Sequence, residues 1–394
     1  MFIRILRSSL PLDYVHELHL INQPVDEARL ADQLNPSLTL KIGNLSPELT
    51  AQLALLFRKN GIVHWESRNQ PDAAIIASFL NWQGVERVVQ ELPDSLMKLR
   101  ESMEILKENL NRKSWRFCLA SGQSWVIDRP QIMGILNVTP DSFSDGGRFF
   151  QPEQAIDHAL QMEAAGADLI DVGAESTRPG AEALSLDEEW RRLEGVLNKI
   201  VPQLKIPLSI DTYKAEIARR ALAAGVEMVN DISGLTYDPE LKEVVAKAGC
   251  PLILMHIKGT PRDMQQNPTY QNVMEEIFQF FHQQADLAIR HGIGQLILDP
   301  GIGFGKRLED NLELIRRLDE FRAFGFPVML GPSRKSFIGK ILGAEVGERL
   351  WGTAASVALA IAKGARLLRV HDVKEMKQVV ELTRAVQEKK IKFS

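Results

Sequence analysis

From residue 131 onward the chain repeats one pattern: a short apolar run, a polar junction, then an amphipathic stretch. The apolar runs cover 131–136, 168–173, 207–210, 228–230, 251–255, 295–298, 327–330 and 367–370. Helical periodicity fills the intervals at 152–165, 186–200, 214–224, 239–248, 273–291, 308–324 and 352–365, and again at 373–389. Apolar runs that do not alternate, separated by helix-length stretches, predict parallel strands buried on both faces by helices. Eight such repeats predict a closed (β/α)8 barrel, with an open doubly wound sheet as the structural alternative.

Residues 1–120 read differently. Strand-like pieces at 2–6, 38–42 and 61–65 alternate with helical ones at 47–59, 84–91 and 95–110. This predicts a smaller α/β domain, 1–120, ahead of a barrel domain, 121–394. It holds no phosphate-binding glycine loop, paired carboxylates or metal-ligand spacing. His16 and His64 are lone histidines and read as structural. Trp65 and Trp82 read as core or interface. The stretch 117–127 is expected to be a hairpin closing the barrel's bottom. A barrel that folds by itself would keep some activity after deletion of 1–115.

Composition narrows the function. Hydrophobic residues make up 45% and charged residues 25%, with a net charge of −4, which is ordinary for a globular protein and lacks the basic face that bulk nucleic-acid binding needs. A small anionic ligand stays open, because a local basic cluster does not require a basic protein. Cys118 and Cys250 are the two cysteines; they have no metal-ligand spacing and read as thiols of a reducing compartment. No segment offers ~20 uninterrupted apolar residues, and the N-terminal stretch lacks the features of a signal peptide. The expected location is the cytoplasm.

The chemistry sits where strands end, which in a barrel is the catalytic face. The predicted ends carry Asn137, then the run Glu175–Gly180, then Asp211-Thr212, Asn230-Asp231, Met255-His256, the run from Asp299 to Lys306, the run from Gly331 to Ser336, and Arg369 with His371-Asp372. One polar strand end is commonplace, because water begins there; eight together point to a shared site. Asp211, Asn230 and Asp299 suit a flat heterocycle rich in N–H donors. Arg178, Lys335, Arg369 and His371 suit a phosphate or diphosphate. Asn137 and Asp141 offer oxygen ligands for Mg²⁺. No His/Cys cluster argues for zinc, and no nucleophile elbow or Ser-His-Asp arrangement is evident. The glycines of 301–305 lack dinucleotide-site spacing and read as a loop presenting Phe304 as an aromatic wall.

Taken in order, MGILNVTPDSFSDGG at 133–147, GAESTRPG at 173–180, SIDT at 209–212, VNDIS at 229–233, LMH at 254–256, LDPGIGFGK at 298–306, GPSRKSF at 331–337 and RVHD at 369–372 resemble dihydropteroate synthase. The first two stretches are highly specific. SIDT and LMH mean little alone. Ala174 stands where the family's usual form has glycine, a small departure. The resemblance spans about residues 131–390.

The resemblance implies a reaction: 6-hydroxymethyl-7,8-dihydropterin diphosphate loses pyrophosphate, and the amine of 4-aminobenzoate attacks its methylene to give 7,8-dihydropteroate. It implies a (β/α)8 fold, a homodimer and Mg²⁺ at Asn137. It assigns Asp211, Asn230, Met255, Asp299 and Lys335 to the pterin. Asn137, Arg178, Arg369 and His371 fall to the diphosphate. Thr177, Pro179, Phe304, Lys335 and Ser336 fall to the aminobenzoate. Asp141, Asp145, Arg178 and Lys335 are the expected catalytic groups, with Asp141 and Asp145 on a first loop that closes with the second. The residues agree independently: with pyrophosphate as leaving group, stabilising departing negative charge suffices and no enzyme nucleophile is required. Two rivals remain. A methyltetrahydrofolate–corrinoid methyltransferase shares the barrel but has no use for the diphosphate cluster. A catalytically silent barrel scaffold does not need polar residues at every strand end.

Overall fold

The computed structural model describes residues 2–6, 17–18, 38–67, 73–79, 81–139, 152–176, 180–181 and 183–388. The chain forms two units, Met1–Arg112 with Arg316–Gly325, and Lys113–Ile315 with Phe326–Ser394.

The first unit contains β1 (Phe2–Leu6), β2 (Thr39–Gly43), α1 (Pro47–Lys59), β3 (Val63–Ser67), β4 (Ala74–Ser78), α2 (Trp82–Gln90) and α3 (Met97–Asn111). The strands form an antiparallel sheet in the order β1-β2-β4-β3. Helix α1 starts where Ser46 accepts a hydrogen bond from Leu49 N and Pro47 opens the first turn, a favoured N-terminal arrangement. Leu40, Ile42, Phe57, Phe79 and Leu99 share its core. The sequence pattern misses β4. All five of its residues are buried, so it lacks the alternation that marks a strand.

A buried ion cluster sits in this unit. Arg4 pairs with Glu17 and, through Nε, with Glu320 at 3.3 Å. Lys41 Nζ lies 3.2 Å from Glu17 Oε2. Arg317 donates to Glu17 at 3.0 Å and to Glu320 at 2.8 Å. Arg317 and Glu320 come from far along the sequence. They explain why the helix predicted over 308–324 is shorter: α-helix runs over Leu308–Arg316, and Leu318–Phe324 forms a 3-10 turn that belongs to the first unit.

The second unit opens with a hairpin, β5 (Trp115–Cys118) and β6 (Ser124–Ile127). Eight parallel strands follow: β7 (Gln131–Asn137), β8 (Leu169–Gly173), β9 (Leu208–Asp211), β10 (Met228–Asp231), β11 (Leu252–Met255), β12 (Leu296–Asp299), β13 (Met329–Leu330) and β14 (Leu367–Val370). Their order is β12-β11-β10-β9-β8-β7-β14-β13. A parallel bridge between Leu298 and Val328 joins the two ends and closes the barrel. Helices α4 (Pro152–Ala164), α5 (Leu186–Ile200), α6 (Ala215–Ala223), α7 (Leu241–Ala248), α8 (Val273–Arg290), α9 (Leu308–Arg316), α10 (Ser336–Leu342), α11 (Leu350–Ala362) and α12 (Val373–Glu388) follow the strands. Sequence patterning misses α10, which is only seven residues long.

The hairpin closes the barrel floor. Phe117, Leu119, Trp125 and Ile127 pack with Met133, Leu169, Met228, Ile253, Ile297, Met329 and Leu367, one residue from each of seven strands. No helix among the described residues is long and apolar enough to cross a membrane.

Glu17→Ala would remove the carboxylate that Arg4, Lys41 and Arg317 share. Breaking a buried pair by removing one partner costs about 3–5 kcal/mol. The variant should therefore melt well below the wild type by circular dichroism; an unchanged midpoint would show that the cluster does not hold this unit together.

Candidate active site at the barrel mouth

Side chains alternate along a strand, so the floor residues fix which others face inward. Leu169 lies in the floor cluster, and Asp171 and Gly173 follow on the same face of β8. By the same step Met133 leads to Asn137, Met228 to Asn230, Ile253 to Met255, Ile297 to Asp299 and Leu367 to Arg369. On β9, Ser209 pairs with Met228 and Asp211 with Asn230, which turns both inward.

Asp171 and Asp211 meet at one guanidinium, and Asn230 joins them through Asp171. Arg369 donates from Nε to Asp171 Oδ2 and from Nη2 to Asp211 Oδ2, each at 2.6 Å. Asn230 Nδ2 donates to the same Asp171 oxygen at 2.8 Å. Asp171 is fully buried, Asn230 is buried, and the Asp211 side chain is 9% exposed. Gly173 makes room: a Cβ there would come within 3.2 Å of Asp211 Cβ. Burial pushes the Asp211 carboxyl up to about 7, against the pull of Arg369. Burial also raises Asp299, whose Oδ1 accepts from Gly301 N at 2.7 Å.

The loop after β12 wraps close to the exit of β11. Gly301 has φ +67, and a Cβ on it would lie 2.0 Å from His256 O; Gly305 has φ +60, with Lys258 O at 2.1 Å. Only glycine fits such positions. Phe304 is buried with Ile232, Met255 and Met264, and Lys335 Nζ sits 3.9 Å from its ring centre, a cation–π contact. Burial, followed by the Arg369 charge, lowers Lys335 to about 8. Lys306 is buried behind this loop, bonded to His256 Nδ1 and Phe304 O at 3.0 Å each, and burial lowers it to about 7.

The loop after β13 is pinned from β14. Arg334, at φ +56, forms a bidentate pair with Asp372. Ser333 Oγ lies 2.9 Å from His371 Nδ1. Burial, then Arg369 and Arg334, push His371 down to about 4, so at neutral pH it is a neutral hydrogen-bonding group rather than a cation. Ser336 is exposed at the start of α10, and Asn137 is half-buried at the end of β7. Asp141, Asp145, Thr177, Arg178 and Pro179 lie outside the described residues. At the base of the second loop Glu175 accepts from Tyr213 OH at 2.8 Å, Lys214 Nζ at 2.5 Å and Leu184 N at 2.9 Å. Among the described residues no group of three His, Cys, Asp or Glu side chains has a metal-binding arrangement.

Residues 133–371 match the model of the pterin binding enzyme family. A dihydropteroate synthase of Synechocystis is 51% identical over 261 residues, 66% of this chain and 90% of that protein. The dihydropteroate synthase of Escherichia coli is 44% identical over 276 residues, 69% of this chain and 98% of its own length. The chain belongs to the dihydropteroate synthase family. That membership makes it an alkyl-group transferase. Among solved family structures, the Yersinia pestis enzyme in complex with a sulfonamide drug covers 69% of this chain and 99% of its own, with a TM-score of 0.66 and 42% identity. The Xanthomonas albilineans enzyme in complex with 7,8-dihydropteroate covers 70% and 99%, with a TM-score of 0.63 and 39% identity.

Of the family positions expected from the motifs, the structure gathers Asp211, Asn230, Met255, Asp299, Phe304, Lys335 and Arg369 at one mouth. Motif reading misses Asp171, and it gives no role to Ser209 or Lys306, which lie inside the motifs SIDT and LDPGIGFGK. The signal for Asp171 was present: it stands two residues before Gly173, on the same face of a strand already expected to end at the site. Gly301→Ala should cost roughly 1–3 kcal/mol of stability in urea unfolding, because a Cβ at positive φ would strike a backbone oxygen. An unchanged midpoint would mean that the loop is not held as closely as described.

Proposed function

We propose that this mouth runs the family reaction by a dissociative displacement, joining 6-hydroxymethyl-7,8-dihydropterin diphosphate to 4-aminobenzoate. The observation that carries the reading is the set of buried acceptors, Asp211, Asn230 and Asp299, on the inner face of the barrel mouth. A pterin presents a cyclic guanidine edge, whose N–H groups need acceptors of this kind. Met255 lies against the ring, with Lys335 between pterin and aminobenzoate. Phe304, Ser336, Thr177 and Pro179 complete the aminobenzoate side.

The diphosphate falls to Asn137, Arg178, Arg369 and His371. Arg369 uses Nε and Nη2 on its two carboxylates, which leaves Nη1 for a phosphate oxygen. Neutral His371, oriented by Ser333, donates a hydrogen bond. The C–O bond to the diphosphate breaks with its electron pair leaving on oxygen. The electron-rich pterin shares the positive charge on the methylene. The amine lone pair then forms the new C–N bond, and the amine's proton passes to the released pyrophosphate. Asp141 and Asp145, on the first loop, help keep water from competing.

The donor chemistry at Asn137 fits Mg²⁺, which prefers oxygen and keeps several waters; Asn137 would hold it with the diphosphate supplying further oxygens. Held there, Mg²⁺ would supply positive charge to offset that of the leaving group. Support for a homodimer comes from the exposed apolar side chains of α10 to α12: Ile341, Leu342, Trp351, Leu359, Leu382 and Val386, with Trp351 79% exposed. Patches of this kind mark interfaces. Two free cysteines agree with a cytoplasmic enzyme.

Incubation with Mg²⁺, the pterin diphosphate and 4-aminobenzoate should release pyrophosphate and dihydropteroate in equal amounts; neither product from folded protein would sink the reading. Pterin binding should weaken as pH falls through about 7, because the raised Asp211 carboxyl takes up a proton there and loses its acceptor charge. The slope should approach tenfold per pH unit, and Asp211→Asn should abolish it. Trp351→Glu should shift the mass measured by light scattering from dimer to monomer.

A further inference from the structure

We infer that Asp171 is a positioning and specificity-determining residue, one that fixes which way the Asn230 amide faces; this rests on the pterin reading above. Asp171 belongs to neither the pterin nor the diphosphate group of the motif assignment, yet it bonds a member of each. Its Oδ2 accepts from Arg369 Nε at 2.6 Å and from Asn230 Nδ2 at 2.8 Å. The carboxylate is fully buried, with a fixed guanidinium charge beside it.

The chemistry follows from donor and acceptor roles. An asparagine side chain has one acceptor atom and one donor atom, and turning it over exchanges them at little cost. A carboxylate paired with arginine only accepts. Asp171 therefore captures Nδ2 of Asn230 and leaves Oδ1 for a ligand. Asn230 Oδ1 is buried and has no hydrogen-bond partner among the described residues. Any ligand that reaches Asn230 meets an acceptor, as it does at Asp211 and Asp299. The mouth then selects a heterocycle whose edge donates throughout. A 2-amino-4-oxo ring such as a pterin satisfies it. A 2-oxo ring such as a lumazine sets an acceptor against an acceptor. Without Asp171, the Asn230 amide is free to turn, and that discrimination disappears. Arg369 would also lose the partner of its Nε and keep Asp211 alone.

The test uses the full chain and compares dissociation constants for 6-hydroxymethylpterin and 6-hydroxymethyllumazine by calorimetry. The wild type should prefer the pterin by roughly tenfold or more, the effect of one mismatched buried hydrogen bond. Asp171→Ala should bring the two constants close together. Asp171→Asn, whose amide oxygen can still accept from Asn230, should restore most of the preference. A merely structural lesion would weaken both heterocycles alike and leave their ratio unchanged. A wild-type ratio in Asp171→Ala, with pterin still bound, overturns the proposal while the pterin reading stands. A wild type that binds neither heterocycle overturns both. Should the alanine variant fail to fold by circular dichroism, Asp171→Ser serves the same comparison.

Discussion

The site depends on closure of the barrel, and the Arg369 pairs are where closure becomes chemistry. Arg369 is on β14, while Asp171 and Asp211 are on β8 and β9, with β7 between. In a flat sheet three strand spacings would separate β14 from β9 by ~14 Å, beyond a side-chain ion pair. Curvature turns all three side chains toward a common centre. Taking these charges out of water is tolerable only because each finds a partner of opposite sign or a hydrogen bond. The acceptor set at Asp211 and Asn230 inherits its geometry from that arrangement.

Much of this is legible in the amino-acid sequence itself. Apolar runs buried on both faces announce parallel strands, and their number announces a barrel. All eight strands fall where the pattern puts them, within a residue or two. The order of the motifs led to the family. What escaped detection shares a cause: its signal lay outside the periodicity. β4 is buried throughout and apolar up to Ser78, so it carries no alternation to distinguish strand from helix. Asp171 lies inside an apolar run, and its inward direction follows only from Leu169, two residues before it, in the floor cluster. Lys306 closes a glycine-rich motif but is buried against His256 and Phe304, a contact that local sequence does not encode. The break after Arg316 came from Glu17, three hundred residues away, which no window of sequence can anticipate.

The first unit shows the same long-range dependence in another form. Its core is its own, but Arg317 and Glu320 enter it from the segment between α9 and β13. Two carboxylates serve three cations there, Arg4, Lys41 and Arg317. Such a cluster contributes less through net stability than through the penalty for any other arrangement, because an unmatched partner would be a bare charge without solvent.

The plugged floor has a consequence for traffic. With Phe117 and Trp125 filling the end of the barrel opposite the mouth, the interior is a cul-de-sac, so everything that enters must leave by the same door. In the proposed reaction the pterin takes the inner berth at Asn230 and Asp299, and the aminobenzoate takes the outer one near Ser336. The inner guest must arrive first, and it has no way out while the outer berth is filled. Joining the two into a single molecule resolves this queue, because the product withdraws as one piece and brings the deep-seated half out with it.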